Sequence, residues 1–342
     1  MEEMIKQIRN YSGKPIRIME VCGTHTMNIA KYGLQQILPP QVELISGPGC
    51  PVCVTPESYF IALYDYINTH PCIVATFGDL LRIPFHNTSL EKERSKKWQV
   101  KIVYSPLECL KLAEEHSDKQ VLFLGVGFET TAPLTALLVL KAKEKSLENL
   151  KVALAHKTIL PAIRFLLEDK GNNISGLLYP GHVGAIIGSN EFKQISNKYQ
   201  IKGSVCGFMA DEILQSIYFI LYGRGVFEND YKKVVVEKGN TKALEVMGQV
   251  FRSSDSTWRG LGRIKASGYQ FQAAYSTYGI EIETSKREGT CEDDRCLCGE
   301  ILKGKKKPTD CKRFAKKCTP FSPIGPCMIS SEGTCSAAYL TR

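Results

Sequence analysis

Cysteine and histidine carry the chemistry open to this chain. Cys50 and Cys53 stand in ISGPGCPVCVTP, residues 45–56, where an apolar strand at 42–45 gives way to a helix that Thr55 would cap and Pro56 would open. A thiol there feels the positive end of the helix dipole and ionises more readily, Cys53 more than Cys50 because it lies nearer the helix start. Gly47, Pro48, Gly49 and Pro51 restrict the turn, so the two thiols are expected to be presented rather than packed. Cysteine also serves as a small apolar core residue, but a Cys-x-x-Cys pair in a Gly/Pro turn is poor core material. Cys22 follows the apolar run RIMEV, and His25 falls in the first turn of the next helix, which Gly33 ends. Thiolate and imidazole are the soft donors that transition metals favour, although a lone His is as often a cap or a core residue. If the strands ending in Cys22 and Cys50 are neighbours, about 5 Å apart, three thiols meet at adjacent strand ends, which points to metal binding or thiol redox.

The tail differs in kind. Seven of the thirteen cysteines, Cys291, Cys296, Cys298, Cys311, Cys318, Cys327 and Cys335, fall within 45 residues rich in Gly and Pro. Such a segment cannot build a core and needs a metal to hold it together. Zinc favours two tight Cys-x2-Cys knuckles, which the tail lacks; wide, irregular spacings suit a four-iron cluster, whose corners take thiolates from any loop. The net charge of +9 is also local to the tail, because residues 303–317 hold eight Lys or Arg against the single Asp310. A solvated basic face beside an anionic cluster accounts for it. Nucleic acid is not expected as a partner, since Phe314 is the only aromatic residue in the segment.

The elements that must position these residues read as α/β. Apolar, β-rich runs at 16–21, 42–45, 72–77 and 100–104, then at 121–126, 151–155, 175–179 and 201–205, alternate with helical patterns, the signature of parallel sheets flanked by helices. Corresponding runs lie about a hundred residues apart, which suggests two Rossmann-like α/β domains of similar topology. The expected division is residues 1–110 with Cys22 and the Cys-x-x-Cys pair, residues 111–230, and a C-terminal iron–sulfur domain at 231–342. Within that last part, 232–237 reads as a strand, 241–251 as a helix and the stretch to Gly260 as irregular. Nearly every strand ends in a polar or Gly-containing turn, and ligands of open α/β sheets bind outside the carboxyl ends of the strands.

Several classes are excluded. Gly125-Val-Gly127-Phe-Glu129-Thr130 lacks the third Gly of a dinucleotide fingerprint, and there is no P-loop, no GxSxG elbow and no Cys-x3-Cys-x2-Cys. The charged N-terminus, MEEMIKQIRNYSGK, has no apolar signal region, and the longest apolar runs, such as 217–222, are too short for a bilayer. A cytoplasmic protein is expected, in which clustered cysteines serve metal or redox chemistry.

VCGTHT at 21–26, GPGCPVC at 47–53, GFETTAP at 127–133, PGHV at 180–183 and the tail from CGEILKGKKKPTDC to SSEGTC together resemble the HypD family of [NiFe]-hydrogenase maturation proteins over essentially the whole chain. The resemblance implies a scaffold on which, with the small chaperone HypC, the Fe(CN)2CO unit is assembled, cyanide arriving through HypE from HypF. It implies Cys22 as the iron-holding thiolate, assisted by His25, with Cys50 and Cys53 as a redox pair. The family's motif Cys-x12-Cys-x6-Cys-x16-Cys selects Cys298, Cys311, Cys318 and Cys335 as ligands of a [4Fe-4S] cluster and leaves Cys291, Cys296 and Cys327 outside it. The free protein is expected to be a monomer. An iron–sulfur thiol–disulfide oxidoreductase, acting on a protein or small disulfide, would share every one of these cysteines but would not need Cys22, His25 or a partner.

Overall fold

The computed structural model describes residues 1–85, 88–169, 171–280 and 296–342; Cys291 lies outside them. Eleven strands occur among these residues: β1 (Ile16–Glu20), β2 (Val42–Ser46), β3 (Cys72–Thr76), β4 (Gln99–Ile102), β5 (Gln120–Gly125), β6 (Leu150–Leu154), β7 (Gly176–Pro180), β8 (Lys202–Cys206), β9 (Phe227–Asn229), β10 (Phe251–Trp258) and β11 (Gly262–Phe271). The first eight lie within two residues of the runs expected from the sequence. Most are legible because both faces of a parallel sheet are buried, which makes the inner strands largely apolar; β4, at the sheet edge, is half polar.

Their partners are not those expected. The chain divides into two compact units, the first made of Met1–Cys53, Ile159–Thr241 and Leu297–Arg342, the second of Val54–Thr158 and Lys242–Cys296. Consecutive domains at 1–110, 111–230 and 231–342 are therefore corrected. The first unit holds one parallel sheet in the order β2-β1-β7-β8-β9, and the second holds another in the order β4-β3-β5-β6. Eight strands of similar length carry no label of their neighbours; pairing β1 with β7 places Val54–Thr158, the larger part of the second unit, inside the connection between β2 and β7.

In the first unit, Ile18, Ile29, Leu34, Val42, Leu178, Ile213, Ile217 and Ile220 form a buried core beneath the sheet. The helix Gly23–Lys31 follows β1 and stops where expected, with Gly33 in the left-handed region at φ 62°. The helix Ala210–Tyr222 follows β8. In the second unit the core is built on Phe60, Val74, Leu122, Phe123 and Val152, all buried. The antiparallel hairpin β10–β11 also belongs to that unit and replaces the irregular stretch expected there, while 232–237 forms turns instead of a strand. Among the described residues no helix is long and apolar enough to cross a membrane.

Candidate functional site

In the first sheet the chain order reverses between β1 and β7, so the crevice beyond their carboxyl ends is where a ligand of this topology sits. Cys22 follows β1 there. β1 and β2 pair in parallel from Ile16↔Val42 to Glu20↔Ser46, which brings the turn after β2 level with Cys22. Gly47 N–H donates to Glu20 O at 2.7 Å and Gly23 N–H to Gly49 O at 3.1 Å. A Cβ on Gly49 would lie 2.3 Å from the Cys22 nitrogen, so only glycine permits this approach. The three thiols thus stand at neighbouring strand ends, the condition posed by their spacing in the sequence.

Cys50 and Cys53 are joined as a disulfide. They are packed, 3% and 0% exposed, and this overturns the expectation that they are presented to solvent. Ser330, from the tail, covers them with its Oγ 3.4 Å from Cys50 Sγ. Pro56, not Thr55, occupies the position before the helix Glu57–Thr69; the cysteines belong instead to the start of a short helix, Pro51–Val54. Cys53 N–H donates to Cys50 Sγ at 3.2 Å, so the N–H at the helix start is aimed at Cys50.

Cys22 is buried at the start of the helix Gly23–Lys31. Burial pushes its thiol up to about 12 against the N–H groups of His25 and Thr24 that point at the sulfur, and the Glu332 and Glu20 carboxyls add to the rise. Such a thiol keeps its proton until a cation displaces it. His25 is fully buried, its Nε2 2.9 Å from Gly207 O and its ring stacked on Phe208 at 4.8 Å. The other face of Phe208 stacks on His182, from the turn after β7, at 3.8 Å. Burial pulls His25 down to about 4, so the ring is neutral, donates from Nε2 and leaves the Nδ1 lone pair without a hydrogen-bond partner. This buried, bare imidazole nitrogen lies on the helix that Cys22 begins.

Two carboxylates complete the surroundings, and the sequence reading assigned neither. Glu20, the last residue of β1, is buried and accepts from Thr26 Oγ1 and from the Cys22 N–H at 3.2 Å; burial raises its pKa to about 8. Glu332 accepts from Thr24 Oγ1 at 2.7 Å and lies so close that a Cβ on Gly23 would collide with it. Its only sequence signal is its place in SSEGTC.

The tail cysteines lie in the same unit as Cys22, His25, Cys50 and Cys53. Cys335 sits in the helix Thr334–Leu340, which packs on the helix carrying His25. Cys298, Cys311 and Cys318 are buried, and Ile324 N–H points at Cys318 Sγ at 3.4 Å. Cys298 Sγ is 2.8 Å from Cys327 Sγ, so Cys327 competes for the first of the four expected cluster ligands. Among the described residues no three His, Cys, Asp or Glu side chains converge to hold one metal ion. A four-iron cluster makes no such demand, because its thiolates stand at separate corners of a cube.

The chain matches the model of the HypD family, described as the hydrogenase formation hypA family, over residues 1–342. It is 39% identical to the hydrogenase maturation factor HypD of Escherichia coli, covering 100% of this chain and 93% of that one. It is likewise 39% identical to HypD of Rhodobacter capsulatus, over 97% and 91% of the two chains. A putative hydrogenase expression/formation protein of Methanocaldococcus jannaschii is 36% identical over 96% and 92%.

Proposed function

The chain belongs to the HypD family, and from that premise we propose that this hydrogenase maturation factor holds, on Cys22 and together with HypC, the iron that becomes the Fe(CN)2CO unit, with HypE delivering cyanide. The observation that carries the reading is the contact between the turn Gly47–Cys50 and Cys22 at the reversal point of the sheet, which sets a single thiol against a dithiol. A lone soft thiolate suits a persistent bond to iron, whereas a paired thiol is withdrawn whenever the disulfide forms. Cys22 gives up its proton to bind the metal, and His25 Nδ1 is the neighbouring donor. Reduction of Cys50–Cys53 breaks the S–S bond and consumes two electrons and two protons. A [4Fe-4S] cluster on Cys298, Cys311, Cys318 and Cys335 supplies electrons one at a time when bound. The donor set fits it in kind: four thiols of one tail, three of them buried, with a backbone N–H on Cys318.

The oxidoreductase reading takes support from the disulfide, and burial does not separate it from the scaffold reading, since Cys50 and Cys53 are 3% and 0% exposed and Cys22 is 8% exposed. Infrared spectra of protein coexpressed with HypC separate the two. Cys22→Ala is expected to keep the brown cluster and the fold while losing the cyanide and carbonyl bands, and His25→Ala to weaken those bands. Full-intensity bands in Cys22→Ala would move the iron to Cys50 or Cys53. Iron content of the single Ala variants at Cys298 and Cys327 tests the first ligand: loss in Cys298→Ala alone supports the set above, and loss in Cys327→Ala alone replaces Cys298 by Cys327.

A further inference from the structure

Six of the eight basic side chains of residues 303–317 do two different things. Lys303 pairs within the tail with Glu300 at 3.2 Å, while Lys305 with Asp169 at 2.6 Å and Lys307 with Glu43 at 2.8 Å fasten the tail to the rest of its unit. Lys312, Lys316 and Lys317 are exposed, and among the described residues they make no ion pair. They ride on a loop whose ends are the buried Cys311 and Cys318. Phe314 N–H donates to Cys311 O at 2.9 Å, Cys318 N–H to Arg313 O at 2.9 Å and Ala315 N–H to Cys318 O at 3.1 Å, so the loop has a defined shape. Ala315 holds its turn with φ 58°, a conformation that an alanine adopts only when its surroundings impose it. The next turn, closed by Ser322 N–H on Thr319 O at 3.1 Å, carries Phe321, 92% exposed.

Three like charges on one tight loop repel one another, an anionic cluster at the loop's ends would offset only part of that repulsion, and an aromatic ring held almost wholly in water is a cost. Both make sense against a partner that brings negative charge and an apolar contact. We propose that this loop and Phe321 form the docking face for an acidic one-electron carrier protein that reduces a cluster on Cys311 and Cys318. The inference rests on the cluster assigned under the proposed function. In each encounter one electron leaves the carrier, which is oxidised, and enters the cluster, which is reduced, with no bond made or broken. Two such transfers and two protons account for opening the Cys50–Cys53 disulfide to two thiols. Nucleic acid fits less well, since one loop tracks little backbone and Phe321 has no row of neighbours on which successive bases would stack.

The test uses the full protein, anaerobic, with an acidic [2Fe-2S] ferredoxin as probe, comparing wild type with the combined Lys312→Glu, Lys316→Glu, Lys317→Glu variant and with Phe321→Ala. Binding is read by salt titration, and cluster reduction by stopped-flow bleaching. At low salt the charge-reversal variant is expected to bind and to be reduced about ten-fold more slowly or worse, and the wild-type rate to fall with ionic strength. Reduction by photoreduced deazariboflavin, which is uncharged, is expected to be equal in all three. Equal rates with ferredoxin in wild type and variant would overturn the docking face. A wild-type protein without cluster absorbance would instead overturn the cluster, and ferredoxin binding alone would then decide: salt-dependent and lost in the variant, the face stands; otherwise it falls. Displacement of ferredoxin by an equal concentration of duplex oligonucleotide would reduce the loop to an unselective anion surface and overturn the assigned partner.

Discussion

Each of the two sheets ends in polar turns, and each set of turns is covered by a segment that arrives late in the chain. In the second unit the cover is the hairpin β10–β11. Lys157, after β6, donates to Ser256 Oγ at 2.8 Å and Thr257 O at 2.7 Å, and Thr158 N–H to Ser267 O at 2.9 Å. Burial pulls Lys157 down to about 7 and His156 to about 3, which holds His156 neutral at pH 7. In the first unit the cover is the tail, which lays Ser330 on Cys50 and Glu332 on the start of the helix after Cys22. The difference lies in the atoms enclosed. Nitrogen and oxygen donors and acceptors hold the second site together, with His156 Nδ1 of that turn left without a partner, whereas the first encloses sulfur, which can change its bonding while the frame stays put. A doubly wound sheet supplies the location in both, and the residue types decide whether the location is structural or reactive.

Cutting the anchor of the second cover is the largest blow available to that unit alone. Trp258 is 1% exposed, donates from Nε1 to Ser267 Oγ at 2.9 Å and stacks on Phe128 at 5.8 Å. Trp258→Ala is expected to cost about 3–5 kcal/mol in urea unfolding, leaving a cavity and removing one buried hydrogen bond, while Ser267 Oγ keeps its bond to Ile264 O at 2.8 Å. Trp98 then remains as the sole tryptophan and also lies in the second unit, so its fluorescence reports that unit specifically. Thiol titration should still find Cys50 and Cys53 oxidised; their loss in this variant would mean that the two covers do not act independently.

The matching cut in the first unit is Gly49→Ala. The added Cβ meets the Cys22 backbone at 2.3 Å, and backbone cannot swing aside as a side chain does. A cost of about 1–3 kcal/mol is expected. Loss of hydrogenase maturation in vivo should accompany it, because the turn must move away from Cys22. Gly248→Ala, where a Cβ meets nothing within 4 Å in an exposed helix, is the control and should be neutral or gain about 1 kcal/mol. Full maturation activity in Gly49→Ala would show that the close approach of Cys22 and the dithiol is dispensable.

What the sequence made legible follows the same division. Strands buried on both faces announce themselves as apolar runs. FRSSDSTW and GRIKASGYQF do not, since they pack on one face only and their register shifts between Ser254 and Ser256, which breaks the alternation. Cys22, Cys50 and Cys53 were legible as a cluster because chemistry and strand ends coincide locally. Their burial was not, because it depends on Ser330, 280 residues beyond Cys50. The competition of Cys327 for Cys298 was equally hidden, since spacing shows which thiols lie near in sequence and not which loops fold together.

The smallest expected effect concerns how the reactive cover is fastened. Glu43, on β2, accepts from Arg17 Nε at 2.8 Å and pairs with Lys307 at 2.8 Å, and Arg17 Nη2 donates to Gly304 O at 2.5 Å. Partial burial works to raise the Glu43 pKa, but the Lys307 and Arg17 hydrogen bonds outweigh it and hold the carboxyl below its ordinary value of 4.5. A carboxylate depressed in the folded state stabilises above its unfolded pKa, and that stability disappears as pH falls through the folded value. Glu43→Gln is therefore expected to lose about 1 kcal/mol at pH 7 and low salt, less at high salt, because the pair is partly exposed. Below about pH 4.5 the gap to wild type should close progressively. Amide hydrogen exchange should localise the loosening to residues 304–307 and leave the β10–β11 hairpin unchanged. A gap that stays constant down to acid pH would assign the cost to packing, and the tail would then be held over the thiols by the fit of Gly304 against Ile45 and Met19 instead of by charge.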